Sequence, residues 1–116
     1  MKLSGKGMLL RIFVGEKDKF EHHALYDVIV LKAREAGLAG ATVLRGVEGF
    51  GAVSRTLHTA KILRLSEDLP IVIEIVDTEE TISAFLPRVE ELFAAVGCGG
   101  MVTTEHVDII KYTPGK

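Results

Sequence analysis

Hydrophobic and polar positions along this chain repeat with period two in some stretches and with a period near 3.6 in others. Met8 to Val14 is an apolar run interrupted only by Arg11 and stopped by Gly15, which predicts a strand. Glu16 to His22 is charged and turn-like. Leu25, Val28, Ile29, Ala33 and Ala36 then recur at helical spacing up to Gly37, a residue suited to a left-handed C-cap. Ala41 to Val47 reads as extended again, with Gly46, Gly49 and Gly51 marking a pliable exit. After an ambiguous stretch from Ala52 to Ser66, the turn Ser66-Glu67-Asp68-Leu69-Pro70 resets the chain before Ile71 to Val76, the strongest strand pattern of all.

Asp77 followed three residues later by Glu80 predicts a capping box, in which the first side chain accepts an orphan N–H of the helix start. The helix carries one apolar stripe of Ile82, Phe85, Leu86, Val89, Leu92, Phe93 and Val96, closed by Gly97. Pro87 inside it removes one backbone donor, which predicts a kink or local break near Ser83 within a single helix. Met101 to Tyr112 reads as the last strand, with Thr104 and Glu105 as the place for any division. Residues 1–7 are expected to form a flexible leader, 8–112 one domain, and 113–116 a loose tail.

The order β-α-β-β-α-β predicts an α+β, ferredoxin-like fold: a four-stranded antiparallel sheet with both helices on one face. If Leu10, Ile12, Val14, Ile71, Ile73 and Ile75 face the helices, the bare face carries Leu9, Arg11, Phe13, Val72, Glu74 and Val76. Four of those six are apolar, and Arg11 and Glu74 can neutralise each other among them. An oligomer that covers this face is the expectation.

Composition narrows the function classes. With 116 residues, 47% of them hydrophobic, the chain suffices for one core. Its 14 basic and 16 acidic residues leave a net charge of −2, so no global field draws it to nucleic acid or anionic lipid. The single Cys98 excludes an intramolecular disulfide and favours a reducing, cytoplasmic setting. Met1 to Gly7 lacks the apolar core of a signal peptide, and the longest apolar stretch, Leu69 to Val76, is short and carries Glu74, so no membrane span is expected.

Candidate chemistry concentrates after the second predicted strand. No acidic residue lies between Glu48 and Glu67, while Arg55, His58, Lys61 and Arg64 are cationic or protonatable, and Arg45 stands just before them. Gly49-Phe50-Gly51 lets backbone N–H groups approach a ligand closely, so the segment suits a small anion. The plainer alternative is a solvated hairpin loop whose glycines permit a bulge. The glycines do not form a dinucleotide fingerprint, which needs a strand-to-helix turn in a parallel unit. His22, His23, His58 and His106 lack metal-ligand spacing, and Cys98 has no histidine at an informative distance. Glu16, Asp18, Glu67 and Asp68 sit in charged turns where solvation is the simpler role. No nucleophile with a base is discernible, so neither an enzyme, a cofactor nor a metal is expected.

The phrases Ala33-Arg34-Glu35-Ala36-Gly37-Leu38-Ala39-Gly40-Ala41-Thr42-Val43, Arg45-Gly46-Val47-Glu48-Gly49-Phe50-Gly51, His58-Thr59-Ala60 and Leu65 to Asp77 closely resemble family 190 of the domains of unknown function. The resemblance spans Leu9 to Tyr112, and that family looks like a branch of the nitrogen-regulatory PII-like superfamily. It implies a trimer whose sheets assemble around a central axis, with small ligands, often adenine nucleotides, in the clefts between subunits. Gly49, Phe50 and Gly51 match the Gly-Phe-Gly that leads into the mobile loop of PII proteins, which makes 52–66 the loop. Beyond Gly51 the chain departs from PII, with Val53, Ser54 and Arg55 where PII has glutamine, lysine and glycine.

Together these readings predict a PII-like trimeric signalling or regulatory protein. It would bind a small anionic metabolite, an adenine nucleotide among the candidates, between subunits at Arg45, Gly49, Phe50, Gly51, Arg55 and His58. Ordering of the loop would then present a surface to a transporter or enzyme partner. The alternative is a ligand-free oligomeric accessory subunit of a membrane transport protein, bound through the loop itself.

Overall fold

Residues 3–51, 58–59 and 68–115 are described by the computed structural model. Two long antiparallel strands, β1 (Gly5–Gly15) and β7 (Pro70–Asp77), form the centre of the sheet, in a register that sets Leu10 opposite Ile75 and Ile12 opposite Ile73. Between them in sequence lie the short β2 (Lys19–Phe20) and β3 (His23–Ala24), α1 (Leu25–Glu35), β4 (Thr42–Arg45), and the two-residue strands β5 (Glu48–Gly49) and β6 (His58–Thr59). After β7 come α2 (Glu79–Val96) and β8 (Met101–Ile109). The main sheet has the order β4-β7-β1-β8, with all pairs antiparallel, which is the predicted ferredoxin-like arrangement.

The period-two pattern divides the sheet as the sequence predicts. Leu10, Ile12, Val14, Ile71, Ile73 and Ile75 are at most 2% exposed and meet Leu25, Ile29 and Ala33 of α1 and Ile82, Phe85, Val89 and Leu92 of α2. Burying each large aliphatic or aromatic side chain contributes about 1.5–3 kcal/mol, so this single cluster dominates stability. Gly37 has φ +81°, and that left-handed turn lets the Leu38 N–H donate to the Ala33 carbonyl at the end of α1.

Four local expectations need correction. β1 starts at Gly5, which pairs with Ile109, so the last three residues of the expected leader belong to the sheet, and Leu3 before them is buried. The cap of α2 is Thr78, whose hydroxyl accepts from the Thr81 N–H at 3.1 Å. Asp77 is instead fully buried, a role described below. Helix α2 runs unbroken through Pro87 because Ile82, Phe85, Val89 and Leu92 are buried on both sides of the proline, which outweighs one lost hydrogen bond. The charged, turn-like stretch Glu16 to His22 contributes its second half to a β2–β3 hairpin that spans Lys19 to Ala24, turned at Glu21 and His22 with both φ values positive, 48° and 71°. β8, by contrast, is undivided, and most of its residues are exposed because it forms an edge of the sheet beyond the helices.

Candidate functional site

One end of the sheet gathers the exit of β1, the exit of β4 and the entry of β7. The register sets Gly15 opposite Pro70 and Arg45 opposite Ile71. Two consecutive carbonyls on β7's approach fix the neighbouring chains: Leu69 O accepts from the Glu16 N–H at 2.9 Å, and Pro70 O from the Gly46 N–H at 2.7 Å. A Cβ on Gly46 would lie 2.7 Å from the Pro70 ring, so only glycine permits this approach. Gly46 and Gly49 therefore serve first to seat the loop base against Pro70, whereas a Cβ on Gly51 would meet nothing within 4 Å.

Of the predicted ligand residues, Arg45 is the last residue of β4 and Gly49, Phe50 and Gly51 follow it closely in the chain, with Phe50 and Arg45 exposed to solvent. His58 enters through its backbone, since Gly49 pairs with it across the β5–β6 ladder. Arg55, Lys61 and Arg64, with nearly all of the predicted loop, lie outside the described residues.

The electrostatics at Arg45 differ from the sequence reading. Its Nη1 donates to Glu16 Oε2 at 2.8 Å, and this hydrogen bond, helped by the Glu16 charge, holds the guanidinium's pKa above its ordinary value. Asp68 Oδ1 accepts from the Lys17 N–H, and Asp18 Oδ2 from the Gly15 N–H. Burial raises the Asp18 pKa, with the Asp68 charge adding to it. Arg45, which opens the stretch that is basic in sequence, is thus met by a carboxylate from the β1 exit. That encounter is invisible in a local reading of the chain.

A second feature escaped the sequence altogether. A hollow of about 450 Å³ is lined by Leu9, Val76, Gly40, Thr42, Lys111 and Tyr112, among others. It is open to solvent, and its apolar walls are shared with Thr42, Glu74, Lys111 and Tyr112. The wall formed by the α1–β4 connection is held from both sides. Ala39 donates its N–H to Asp77 at 2.8 Å, and its carbonyl accepts from the Tyr112 hydroxyl at 3.4 Å. Thr42 lies opposite Glu74 on the bare face and Arg45 opposite Ile71 on the helix face, so the hollow and Arg45 occupy different sides of β4.

On the bare face Arg11 bridges three strands, with its Nε on Glu74 of β7 at 2.9 Å and its Nη1 on Glu105 of β8 at 2.6 Å. The predicted Arg11–Glu74 pair is therefore present, with Glu105 as an added partner. Among the described residues, no group of three His, Cys, Asp or Glu side chains is placed to hold a metal ion, and no helix is long and apolar enough to cross a membrane.

A model of the DUF190 family, described as uncharacterized ACR, matches residues 7–109. The chain belongs to that family. One relative, a UPF0166 protein of Aquifex aeolicus, is 37% identical over 105 residues, which cover 90% of this chain and 94% of that one. Among solved structures, the DUF190 chain superimposes on CPII, a nitrogen regulatory PII-like protein from Thiomonas intermedia K12 bound to ADP, AMP and bicarbonate. The TM-score is 0.67 at 18% identity, over 91% of this chain and 90% of that one. A candidate PII-like signaling protein from Thermus thermophilus gives a TM-score of 0.65 at 20% identity, covering 95% and 94%. The DUF190 fold is PII-like.

Proposed function

We propose that this protein is a PII-like regulator that binds a small anionic metabolite, an adenine nucleotide, and signals through the loop after β4. The observation that carries this reading is the PII-like fold, in which CPII holds ADP, AMP and bicarbonate. Two local features support it. The hollow beside Leu9 and Val76 has the apolar walls that a nucleobase needs, and Arg45 with Gly49 to Gly51 offers a guanidinium and close backbone approach to a phosphate. Because these lie on opposite faces of β4, a complete site joins the hollow of one subunit to the loop base of another, in a trimer that covers the bare face. Arg55 and His58 complete the anion contacts in this reading.

Isothermal calorimetry with ATP, ADP and AMP, at protein concentrations that keep the oligomer intact, tests it. Saturable heat with at least one of them is expected, and an Arg45→Gln variant should bind it more weakly. No heat with any of the three overturns the nucleotide assignment.

A further inference from the structure

The pair at the loop base carries one step more, which rests on the reading of Arg45 as an anion contact. In this structure the guanidinium already holds an anion, since Glu16 Oε2 sits 2.8 Å from Nη1. We propose that Glu16 is a built-in competitor: its carboxylate occupies the place of the ligand's anionic group on Arg45, and a ligand binds there by displacing it. The argument is geometric first. The backbones on both sides of the pair are fixed by adjacent carbonyls, Glu16 N–H on Leu69 O and Gly46 N–H on Pro70 O, so exchanging partners requires only side-chain rotation. Glu16 is the more buried member, with its side chain 26% exposed, whereas that of Arg45 is 62% exposed and reachable from solvent. The anchored carboxylate thus waits beside a guanidinium that an incoming group can approach from outside.

Charge then decides which ligands succeed. An exposed ion pair of this kind is weak, because solvent screens it, so it yields to a stronger anion. A phosphate carries up to two charges and three acceptor oxygens and engages a guanidinium in a bidentate fork, which a single carboxylate of the chain does not outmatch. A monocarboxylate metabolite gains nothing over Glu16 and is refused. Glu16 is therefore a specificity residue that sets a charge threshold on the site, and release of Glu16 is the local event that reports binding to the loop base.

The test compares wild type with Glu16→Gln and Glu16→Asp, reading the Arg45 guanidinium resonance by NMR during titration with inorganic pyrophosphate and, separately, with acetate. Calorimetry with ADP runs in parallel, and the melting temperature of each variant checks folding. Glu16→Gln should lower the pyrophosphate concentration at the midpoint about two- to fivefold, the range an exposed pair allows, and should let acetate move the Arg45 signal, which it does not do in wild type. Equal midpoints in wild type and Glu16→Gln overturn the competitor role while leaving an anion site at Arg45. An Arg45 signal that ignores pyrophosphate in every variant overturns it too. A response to pyrophosphate without heat from ADP retains Glu16 as competitor and removes the nucleotide instead.

Discussion

Asp77 and Ala39 are 38 residues apart in sequence, yet Asp77 Oδ2 accepts the Ala39 N–H at 2.8 Å while Oδ1 accepts that of Thr78 at 2.7 Å. This is the one fully buried charged side chain among the described residues, and it ties the end of β7 to the α1–β4 connection that walls the hollow. Asp77→Ala strands two backbone donors and should cost about 3 kcal/mol; Asp77→Asn keeps one acceptor and should cost about 1–2 kcal/mol. Urea denaturation measures both, and a loss below about 0.5 kcal/mol for the alanine variant would show that the strut carries no weight.

Arg11 should matter far more in an assembly than in one subunit. The side chains of Arg11, Glu74 and Glu105 are 38%, 33% and 56% exposed in the single chain, so solvent screens the pairs and they contribute little there. Once a second copy covers the face, removing the arginine leaves two carboxylates buried without a counter-charge, at a cost of about 3–5 kcal/mol. Arg11→Ala should therefore shift sedimentation toward smaller species with little change in secondary structure. Wild-type protein that sediments as a monomer at tens of micromolar would remove the covered face altogether.

The pattern legible in the sequence was the sheet and its two faces, because β1 and β7 are each apolar runs bounded by glycine or proline in which a single charge, Arg11 or Glu74, marks the bare face. What stayed hidden depends on partners distant along the chain. Asp77 and Thr78 are both good N-cap residues with a suitable group three positions on, Glu80 or Thr81, and only the presence of the Ala39 N–H decides that Asp77 turns inward. Glu21 and His22 lack the Asn-Gly signal of a tight hairpin although both adopt positive φ. At the loop base Gly46 and Gly49 make a close approach, and what they approach is Pro70, which no local motif names. The carboxylate on Arg45 comes from 29 residues earlier, beyond the reach of any local motif.

Gly100 offers a sharp packing test. A Cβ there would lie 2.6 Å from Phe93 Cε2 and 2.7 Å from the Phe13 carbonyl oxygen, so Gly100→Ala should destabilise by about 1–3 kcal/mol. Gly40→Ala meets nothing within 4 Å and should stay within about 0.5 kcal/mol of wild type. Paired urea titrations decide it, and equal midpoints for the two variants contradict the packing described.

Cys98 should be a sluggish thiol. Burial raises its pKa, with the Asp18 charge as a further cause, so less thiolate forms at a given pH in the folded chain than in the unfolded one. Alkylation by iodoacetamide at pH 8 should run slower in the native protein than after unfolding in guanidinium; equal rates would contradict the burial. The sign of the linkage follows: the unfolded chain loses its thiol proton first, so the thiol's contribution to stability is complete below about pH 8.5 and declines above it.

The long outer strand β8 has a consequence for handling the protein. Nine consecutive residues, rich in valine and threonine and free of proline, form the rim of the sheet with their outward N–H and C=O groups unclaimed by any described strand. Such a rim is a template: whichever extended backbone reaches it can lengthen the sheet by another rung. Crowding the protein therefore favours chains joined edge to edge through backbone hydrogen bonds at β8.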